Sequence, residues 1–544
     1  MTSFADLRGY ARFSWQLRRF LRVRITLEEA RERIRLRLAQ REENFLRVAR
    51  RGIYENPKSP YLALLRHAGC EYGDLEREVR SRGLEPALSA LHSSGVYLTF
   101  EEFKGRAPIV RNGREFAVAP RAFDNPFLNA YYHASSGGST GAGMRVAIDL
   151  EHLAEQGPMH MLAYHAHGML HAPTIIWRGT LPDGTGVNNC LRPVAFDQIP
   201  VRWFALPNLR GMKRKPLLTR IATDYIVHLA RLYGAHIPRP EPVALDQAAV
   251  IARAIAQTLR ENPRCLVRAH VSMAVRICLA AREAGIDLAG ATFMGGGEPP
   301  TPAKVRAIRE TNAVYVPTYV FTEADFVGIG CVTPEDGNDL HFLKHSLALI
   351  QYSRRVPGLA EPVDAFCFTT LLPSARQVLL NVESDDYGVL QPSKCGCALE
   401  QLGFTEHLRH VRSFSKLTGE GVTLMGSEMV RILEDVLPAR FGGGPQDYQL
   451  MEEEDERGFT RLTLLVHPRV PIADESEIVP AVLNALGSGT VAGDLSQSLW
   501  KQAGTLRVSR RPPVWTGRGK LMPLHLERKS GHAPHGGETS GVPS

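Results

Sequence analysis

The sequence lacks several features that would assign it to a class at once. No run of about twenty apolar residues is present, so no membrane span is expected. Residues 1–24 alternate arginine with aromatic residues and contain no apolar signal core, which predicts a cytoplasmic chain that is not secreted through a signal peptide. Neither a Walker A loop nor a Rossmann glycine fingerprint occurs, and no internal repeat is apparent.

Cysteine is scarce, with 8 among 544 residues. In a reducing cytoplasm these side chains are expected to be free thiols or metal ligands rather than disulfides. The formal net charge is +8, but arginine is spread along the chain and no RNP, zinc-finger or helix-turn-helix signature accompanies it. The composition therefore predicts no nucleic-acid partner and suits small anionic substrates.

The length predicts more than one domain. Short apolar runs at 146–150, 291–294, 313–316 and 378–382 alternate with helical patterns, which indicates α/β layers. Residues 13–52 have apolar positions at helical spacing and predict one or two long amphipathic helices. A helix at 427–437 and a strand at 462–466 suggest a compact α+β unit near the C-terminus. The Gly/Ser/Pro-rich residues 528–544 are predicted to be disordered.

A glycine-rich loop between His133 and Arg145 contains four glycines and four hydroxyl residues. Its backbone N–H groups and hydroxyls can form a nest for phosphate oxygens. The alternative is a flexible surface loop. The candidate phosphate-binding residues are Ser135, Ser136, Gly137, Ser139, Thr140 and Gly141.

A second glycine-rich stretch, residues 293–301, follows a short strand and precedes a helix that starts near Pro302. Here a flat ligand could lie against the backbone at Gly297, with Glu298 available to a purine amino group. The alternative is an ordinary βα turn with a proline start.

These two glycine-rich loops, and their order along the chain, resemble motifs of the adenylate-forming (acyl/aryl-CoA ligase) superfamily, in particular its phenylacetate–CoA ligase branch. Gly138 and Ser139 replace two threonines of that branch, and Val320 replaces a glycine. The resemblance covers residues 55–525. It implies that Tyr319 stacks on adenine, that Thr322 belongs to the same motif, and that Glu323 holds Mg²⁺ between the phosphates of ATP.

Later motifs extend the resemblance towards the C-terminus. Asp386 is implied to bind the ribose hydroxyls, with Asp385 as the alternative. Arg412 is implied to reach the ribose or phosphates, close to a hinge between two domains. Lys520 closes a loop that resembles the family's lysine loop, where it would bridge the carboxylate and the α-phosphate; Arg518 is the alternative cation.

Three thiols and one imidazole make a complete ligand set for a closed structural zinc site. They are Cys331, His341, Cys395 and Cys397, and several phenylacetate–CoA ligase-like proteins have similar pairs at both places. The alternative is buried or unpaired cysteines. The histidines of the helix at 151–171 lie around it rather than on one stripe, and do not predict a second metal site.

The resemblance thus implies an α/β fold with a large multi-layer adenylation domain, 55–411, and a small α+β C-terminal lid, 412–527. An amphipathic helical segment, 1–54, precedes them, and the tail 528–544 follows. The implied reaction forms an acyl-adenylate from a carboxylic acid and ATP, then a CoA thioester, with Mg²⁺ and a structural Zn²⁺. Alternatives are transfer to a carrier protein or enzyme cysteine, with a carrier or reductase partner, or a degenerate binding scaffold. The identity of the acid and the oligomeric state, including a dimer, stay open.

Overall fold

The computed structural model describes residues 4–103, 105, 107–116, 122–128, 132–135, 145–181, 184–207, 215–297, 300, 302–321, 323–335, 337–355, 362–413, 418–419, 422–423, 426–454, 460–486, 506–515 and 521–526. Contacts divide the chain into two compact units. The larger comprises Met1–Lys416, Met425–Ser427 and Trp515–Leu521, and the smaller comprises Leu417–Leu424, Glu428–Val514 and Met522–Ser544. Every helix in the described ranges is too short or too polar to span a lipid bilayer.

The larger unit begins with helices, which are α1 Phe4–Phe20, α2 Leu27–Ala39, α3 Arg41–Ala49, α4 Pro60–His67, α5 Tyr72–Arg82, α6 Leu84–Ser93 and α7 Phe100–Phe103. Residues 13–52 therefore form parts of three helices instead of one or two long ones. Thr26 caps α2, forming a capping box with Glu29. Gln40, with φ −102° and ψ 22°, ends α2 and separates it from α3.

A twelve-stranded sheet forms the centre of the larger unit. Its strands are β5 Thr174–Trp177, β6 Arg202–Ala205, β7 Pro240–Pro242, β8 Cys265–His270, β9 Ala291–Gly296, β10 Val314–Phe321, β11 Asp325–Gly330, β12 Leu340–Phe342, β13 Leu347–Arg354, β14 Val363–Thr370, β15 Val382–Pro392 and β16 Glu406–Ser413. The strand order is β13-β14-β15-β16-β12-β11-β10-β9-β8-β5-β6-β7. Two hairpins lie outside this sheet, β1 Ile109–Arg111 with β2 Arg114–Phe116, and β3 Tyr132–Ser135 with β4 Arg145–Ile148.

The adjacent strands β7, β6, β5, β8, β9 and β10 are parallel to one another, whereas β11 pairs with β10 antiparallel. Helix α8 Leu150–Ala166 precedes β5. The helices that connect the parallel strands are α9 Thr185–Leu191, α10 Lys215–Leu232, α11 Ala248–Glu261, α12 Val271–Glu283 and α13 Pro302–Arg309. All six residues of β8 are buried, because Val267 packs with α11 and α12 on one face while Leu266 packs with α8 residues on the other. The predicted α/β layering is thus confirmed.

The parallel part of the sheet contains a topological switch point. From β5 the chain adds β6 and β7 on one side, and then β8, β9 and β10 on the other. Ligands of open α/β sheets bind near such points, outside the carboxyl ends of the strands. The switch point lies between β5 and β8, and β9 and β10 end at the same carboxyl edge of the sheet.

The predicted strand at 378–382 is wrong for most of its length, since β15 begins only at Val382. The preceding residues are irregular because their backbone groups bond to side chains and to a distant loop. Val378 N donates to Phe123 O at 3.0 Å, and Asn381 N donates to the Thr369 hydroxyl at 2.9 Å. Asn381 has φ +49°, which a continuous strand does not accommodate.

The smaller unit is α+β, as predicted for a compact C-terminal part. Its four-stranded sheet consists, in spatial order, of Leu506–Ser509, Thr460–Val466, Tyr448–Glu454 and Leu524–Leu526, and the unit has its own apolar core. The remaining elements of the chain are α14 Ala398–Gln401, β17 Thr418–Gly419, β18 Val422–Thr423, α15 Gly426–Arg431, α16 Leu437–Phe441, β19 Tyr448–Glu454, β20 Thr460–Val466, α17 Ile478–Leu486, β21 Leu506–Ser509 and β22 Leu524–Leu526. The predicted functional boundaries at 54, 411 and 527 remain predictions.

Candidate functional site

The glycine-rich loop connects the two strands of the β3–β4 hairpin. Ser135 ends β3 opposite Arg145, the first residue of β4. Ser136, Gly137, Ser139, Thr140 and Gly141 lie outside the described residues, so their phosphate-binding role stays a prediction. The helix α8 follows directly, with its first turn capped by Asp149, whose carboxylate accepts from Glu151 N at 2.6 Å.

The second glycine-rich stretch ends β9 at the carboxyl edge of the parallel strands. A Cβ on Gly296 would lie 1.9 Å from Thr318 O, and one on Gly295 would lie 2.6 Å from Ala269 O. Glycine is required here because the neighbouring backbones approach too closely for any side chain. Gly297 follows with φ +86°, and α13 starts at Pro302. Glu298 lies outside the described residues.

A side-chain hydrogen bond and a strand pairing bring together motif residues that are far apart in sequence. The Tyr319 hydroxyl donates to Asp386 Oδ2 at 2.6 Å, joining β10 to β15. Arg412 on β16 pairs with Tyr387, the residue after Asp386. Burial, followed by the charge of Asp386, raises the pKa of Tyr319 well above its ordinary value, so the phenol keeps its proton.

The structure distinguishes the two aspartates that the sequence left as alternatives for the ribose. Asp385 is only 4% exposed and has φ +68°, whereas Asp386 is partly exposed. Asp386 is therefore the carboxylate that a ligand from solution can reach. Its role at a ribose remains a prediction.

Glu323 follows the end of β10 and is 6% exposed. It lines a cavity together with His152, Gln156 and Met159 of α8, and with Arg376. Thr322, the preceding motif residue, lies outside the described residues. Tyr319 lies near the end of β10 and Glu323 follows that end. Both are therefore at the edge of the sheet where the glycines end β9.

Asp325, two residues after Glu323, holds a buried ionic network that the sequence analysis missed. Its Oδ2 lies 2.8 Å from an Arg376 nitrogen, 3.7 Å from an Arg192 nitrogen and 3.1 Å from His152 Nε2. Burial would raise the pKa of Asp325, but the two guanidinium groups hold it well below its ordinary value. Burial also lowers the pKa of His152, so this imidazole is neutral. No local sequence pattern links these four residues.

The four predicted zinc ligands lie together in the larger unit. Cys331 follows β11, His341 is on β12, and the other two thiols lie between β15 and α14. His341 Nε2 is 3.2 Å from Cys397 Sγ and 3.7 Å from Cys395 Sγ. His341 Nδ1 donates to Phe404 O at 2.7 Å, which leaves Nε2 as the nitrogen with a lone pair for a metal.

Hydrogen bonds among the thiols stabilise the thiolate form of one of them. The hydrogen bond from Cys331 lowers the pKa of Cys397 to about 2, outweighing burial. The same hydrogen bond to Cys397, together with burial, raises the pKa of Cys331. A thiolate is the form of cysteine that binds metals. The donor set fits a tetrahedral zinc ion.

His407 is a further candidate ligand that the sequence analysis did not identify. Its ring centroid lies 4.1 Å from that of His341, its neighbour across the β12–β16 pairing. Potential ligand atoms of Cys331, His341, Cys395 and His407 all lie within 4.8 Å of one another. His407 Nδ1 contacts Asp339 Oδ1 at 2.6 Å, and within the described ranges its buried Nε2 has no hydrogen-bond partner. Only strand register could have revealed this residue.

Lys520 and Arg518, the alternative cations of the C-terminal loop, both lie outside the described residues. The structure therefore leaves their roles as predictions.

Comparisons with known proteins give similarity at the level of structure. No protein-family model matches the chain, and a search of curated proteins finds no similar sequence. A 2-hydroxyisobutyryl-CoA ligase in complex with 2-HIB-AMP and CoA is 14% identical, with a TM-score of 0.44, covering 92% of this chain and 88% of that chain. An anthranilate CoA ligase in complex with anthranoyl-AMP is 11% identical, with a TM-score of 0.41 and coverage of 80% and 74%.

A structure from a study of fatty acyl-adenylate ligases from E. coli and L. pneumophila is also 11% identical, with a TM-score of 0.41 and coverage of 75% and 71%. These proteins are adenylate-forming ligases, the superfamily that the sequence motifs resemble. The phenylacetate–CoA ligase branch is not distinguished. Because the TM-scores are below 0.5, the similarity does not establish what this chain binds.

Proposed function

We propose that this protein activates a carboxylic acid with ATP, releases pyrophosphate, and transfers the acyl group from the acyl-adenylate to CoA. The observation that carries the proposal is the contact between the Tyr319 hydroxyl and Asp386 at 2.6 Å. These residues come from two motifs that resemble the adenine and ribose motifs of one superfamily. Their contact supports the proposal that both motifs belong to one site.

The proposed nucleotide site uses groups on β15, β16, β10 and the end of β9. The exposed part of Asp386 accepts hydrogen bonds from the ribose hydroxyls, and Arg412 on the adjacent strand supplies positive charge for the ribose or phosphates. Adenine lies against the backbone at Gly297 and the ring of Tyr319, with Glu298 facing its amino group. A planar base needs such a surface without side chains, and the glycines at the end of β9 supply it.

The proposed phosphate site combines the glycine-rich loop with the end of β10. Ser135, Ser136, Gly137, Ser139, Thr140 and Gly141 would bind phosphate oxygens, and Thr322 would assist from the second motif. A carboxylate is a ligand that Mg²⁺ prefers, and Glu323 would supply it. The metal would offset the charge that develops on the α-phosphate and the pyrophosphate. Lys520 of the proposed lid, residues 412–527, would stabilise the same charge.

The cysteine–histidine cluster is proposed to bind a structural Zn²⁺ through Cys331, His341, Cys395 and Cys397. Such an ion would join the β11–β12 region to the loop between β15 and α14. With four protein ligands, no coordination position would remain for water, so this ion would stabilise the fold and take no part in the reaction.

The test is pyrophosphate exchange into ATP over a panel of aryl and fatty acids, with ATP binding measured separately by equilibrium dialysis. At least one acid is expected to support exchange. Asp386→Asn is expected to weaken ATP binding by roughly tenfold, because an amide accepts the ribose hydrogen bonds less strongly than a carboxylate. Asp364→Asn, an exposed carboxylate on β14, is the matched control.

Absence of exchange with every acid, together with ATP binding that Asp386→Asn leaves unchanged, would contradict the proposal. Exchange that proceeds without thioester formation on CoA would instead point to a protein thiol as the acceptor.

A further inference from the structure

The candidate metal centre contains five potential ligands, one more than a structural zinc ion binds. Four of them have ligand atoms that all lie within 4.8 Å of one another, namely Cys331, His341, Cys395 and His407. The fifth is Cys397, whose Sγ lies 3.2 Å from His341 Nε2. Two sets of four ligands are therefore available, and they differ in whether Cys397 or His407 completes the set.

The imidazole of His407 is oriented as that of a metal-binding histidine. Its Nδ1 lies 2.6 Å from Asp339 Oδ1. The same carboxylate accepts from Arg409 Nε at 3.3 Å and from Glu335 N at 3.1 Å, so it is also an acceptor towards the imidazole. His407 Nδ1 then carries the ring proton, and the lone pair of the neutral ring is on Nε2. Metal-binding histidines typically bind a carboxylate or carbonyl oxygen through their other ring nitrogen in this way.

The lone-pair nitrogen of His407 is buried next to the other ligands. The side chain is fully buried, and in the part of the chain that the structure describes its Nε2 has no hydrogen-bond partner. The ring centroid lies 4.1 Å from that of His341. Buried polar atoms of folded proteins are nearly always paired, so a ring nitrogen of this kind beside a group of thiols indicates a potential metal ligand.

The backbone holds His407 close to two ligands that both sets share. His407 is paired with His341 in the register of β12 and β16. Asp339, which orients the His407 ring, also accepts from Cys331 N through its backbone oxygen at 2.9 Å. His407 is thus attached to a rigid part of the sheet, and it can replace Cys397 without a rearrangement of the strands.

We propose that His407 is the alternative fourth ligand of the zinc centre, and that its Nε2 replaces the Cys397 thiolate when that thiolate is not available. The inference rests on the proposed zinc-binding function of the cluster. A thiolate brings a negative charge to the cation and a neutral imidazole does not, so Cys397 binds first. The set with His407 has two thiols and two imidazoles, which is also a donor set of structural zinc sites.

The experiment measures the zinc content of the purified full-length protein by mass spectrometry. Cys397→Ala is the first variant, because alanine brings no ligand atom, and it is expected to keep about one zinc per chain. His407→Phe is also expected to keep the metal. The double variant Cys397→Ala/His407→Phe is expected to contain almost none, because only three protein ligands remain.

A second measurement tests how Asp339 orients the alternative ligand. In the Cys397→Ala background, Asp339→Asn is expected to weaken zinc binding by roughly tenfold to a hundredfold in competition with a chelator, as is typical when the partner of a metal-binding histidine is removed. In the wild-type background, where Cys397 is the fourth ligand, the same substitution is expected to have little effect on zinc binding.

His236→Phe, which changes an exposed histidine, is the matched control for His407→Phe. Combined with Cys397→Ala, it should leave the zinc content unchanged. Substitution of cobalt for zinc gives an independent readout, because the sulfur-to-metal absorption of Cys397→Ala should correspond to two bound thiolates instead of three. If Cys397→Ala does not fold, Cys397→Ser, which keeps the size of the side chain, takes its place.

The outcomes separate this inference from the proposed zinc site. Wild-type protein that holds zinc, together with a Cys397→Ala or Cys397→Ser protein that loses it or does not fold, would overturn the inference and leave the zinc site standing. Equal zinc content in Cys397→Ala and the double variant would mean that water or another group is the fourth ligand, and would also overturn it. Wild-type protein without zinc would overturn both, whereas pyrophosphate exchange tests the proposed reaction separately.

Discussion

The cysteine–histidine cluster provides the prediction with the largest expected effect on stability. Cys331 belongs both to the predicted ligand set and to the group of close ligand atoms that includes His407. Cys331→Ser therefore removes a ligand whichever set binds the ion. Purified wild-type protein is expected to contain about one zinc per chain, and Cys331→Ser is expected to contain almost none.

The magnitude follows from the chain length that the ion would bridge. Between Cys331 and the two cysteines after β15, the metal would close a loop of roughly 65 residues. Treated as a crosslink, such a loop closure stabilises the folded state by about 4 kcal/mol at 25 °C through the entropy of the unfolded chain. For a unit of roughly 400 residues this corresponds to a decrease of about 5 °C in Tm.

Metal content by mass spectrometry and thermal unfolding in a metal-free buffer are the two assays. Cys70→Ser, which changes a half-buried cysteine elsewhere in the same unit, is the control and should keep the metal. His407→Phe should also keep it, because His407 Nδ1 is bonded to Asp339 and three thiols with His341 already complete the tetrahedron. Metal-free wild-type protein that is as stable as the metal-loaded form would refute the reasoning.

Three further predictions concern the proposed site. Glu323→Gln should abolish pyrophosphate exchange without changing the unfolding midpoint, because it removes the carboxylate proposed for Mg²⁺; retention of most activity would exclude Glu323. Lys520→Ala should slow adenylation by about 10² or more yet still convert supplied acyl-AMP and CoA to thioester, with Arg518→Ala as the comparison; equal slowing of both half-reactions would contradict domain alternation. Asp325→Asn should lower the free energy of unfolding at pH 7 by about 3 kcal/mol relative to Asp364→Asn, because two buried guanidinium groups lose their counter-charge. Since the folded pKa of Asp325 is depressed, this difference should be complete above about pH 4 and shrink as the pH falls further, so a pH-independent difference would argue against an ionic role.

Local sequence patterns correctly predicted those parts of the fold that depend on short stretches of the chain. The apolar runs at 291–294 and 313–316 correspond to β9 and β10, and the proline at 302 starts α13. These features follow from residue type and spacing, because strands that are buried on both faces are continuously apolar and proline suits the first turn of a helix. The apolar run at 378–382 is not a strand for most of its length, because the backbone N–H groups of Leu379 and Asn381 donate to the hydroxyls of Thr370 and Thr369 instead of to a neighbouring strand.

The candidate metal centre could be predicted from the sequence only in part. Cys395 and Cys397 are separated by one residue, Gly396, which has φ +70°. This short spacing indicates a pair of possible metal ligands in the sequence alone. Their position next to Cys331 and His341 was only implied by a resemblance, since 54 residues separate Cys395 from His341. His407 had no signal at all, because it meets His341 through the register of β12 and β16.

What the sequence by itself determined was the α/β class and the identity of the glycine, aspartate, glutamate and cysteine residues that could carry chemistry. What only the tertiary structure decided was which of them meet. Tyr319 and Asp386 are 67 residues apart, and Asp325 lies 173 residues from His152. Their contacts depend on strand order, register and the packing of α8 against the sheet, which arise from the burial of apolar surface over the whole unit. A polar contact made across such distances leaves no trace in the neighbouring sequence, because no local preference of the chain produces it.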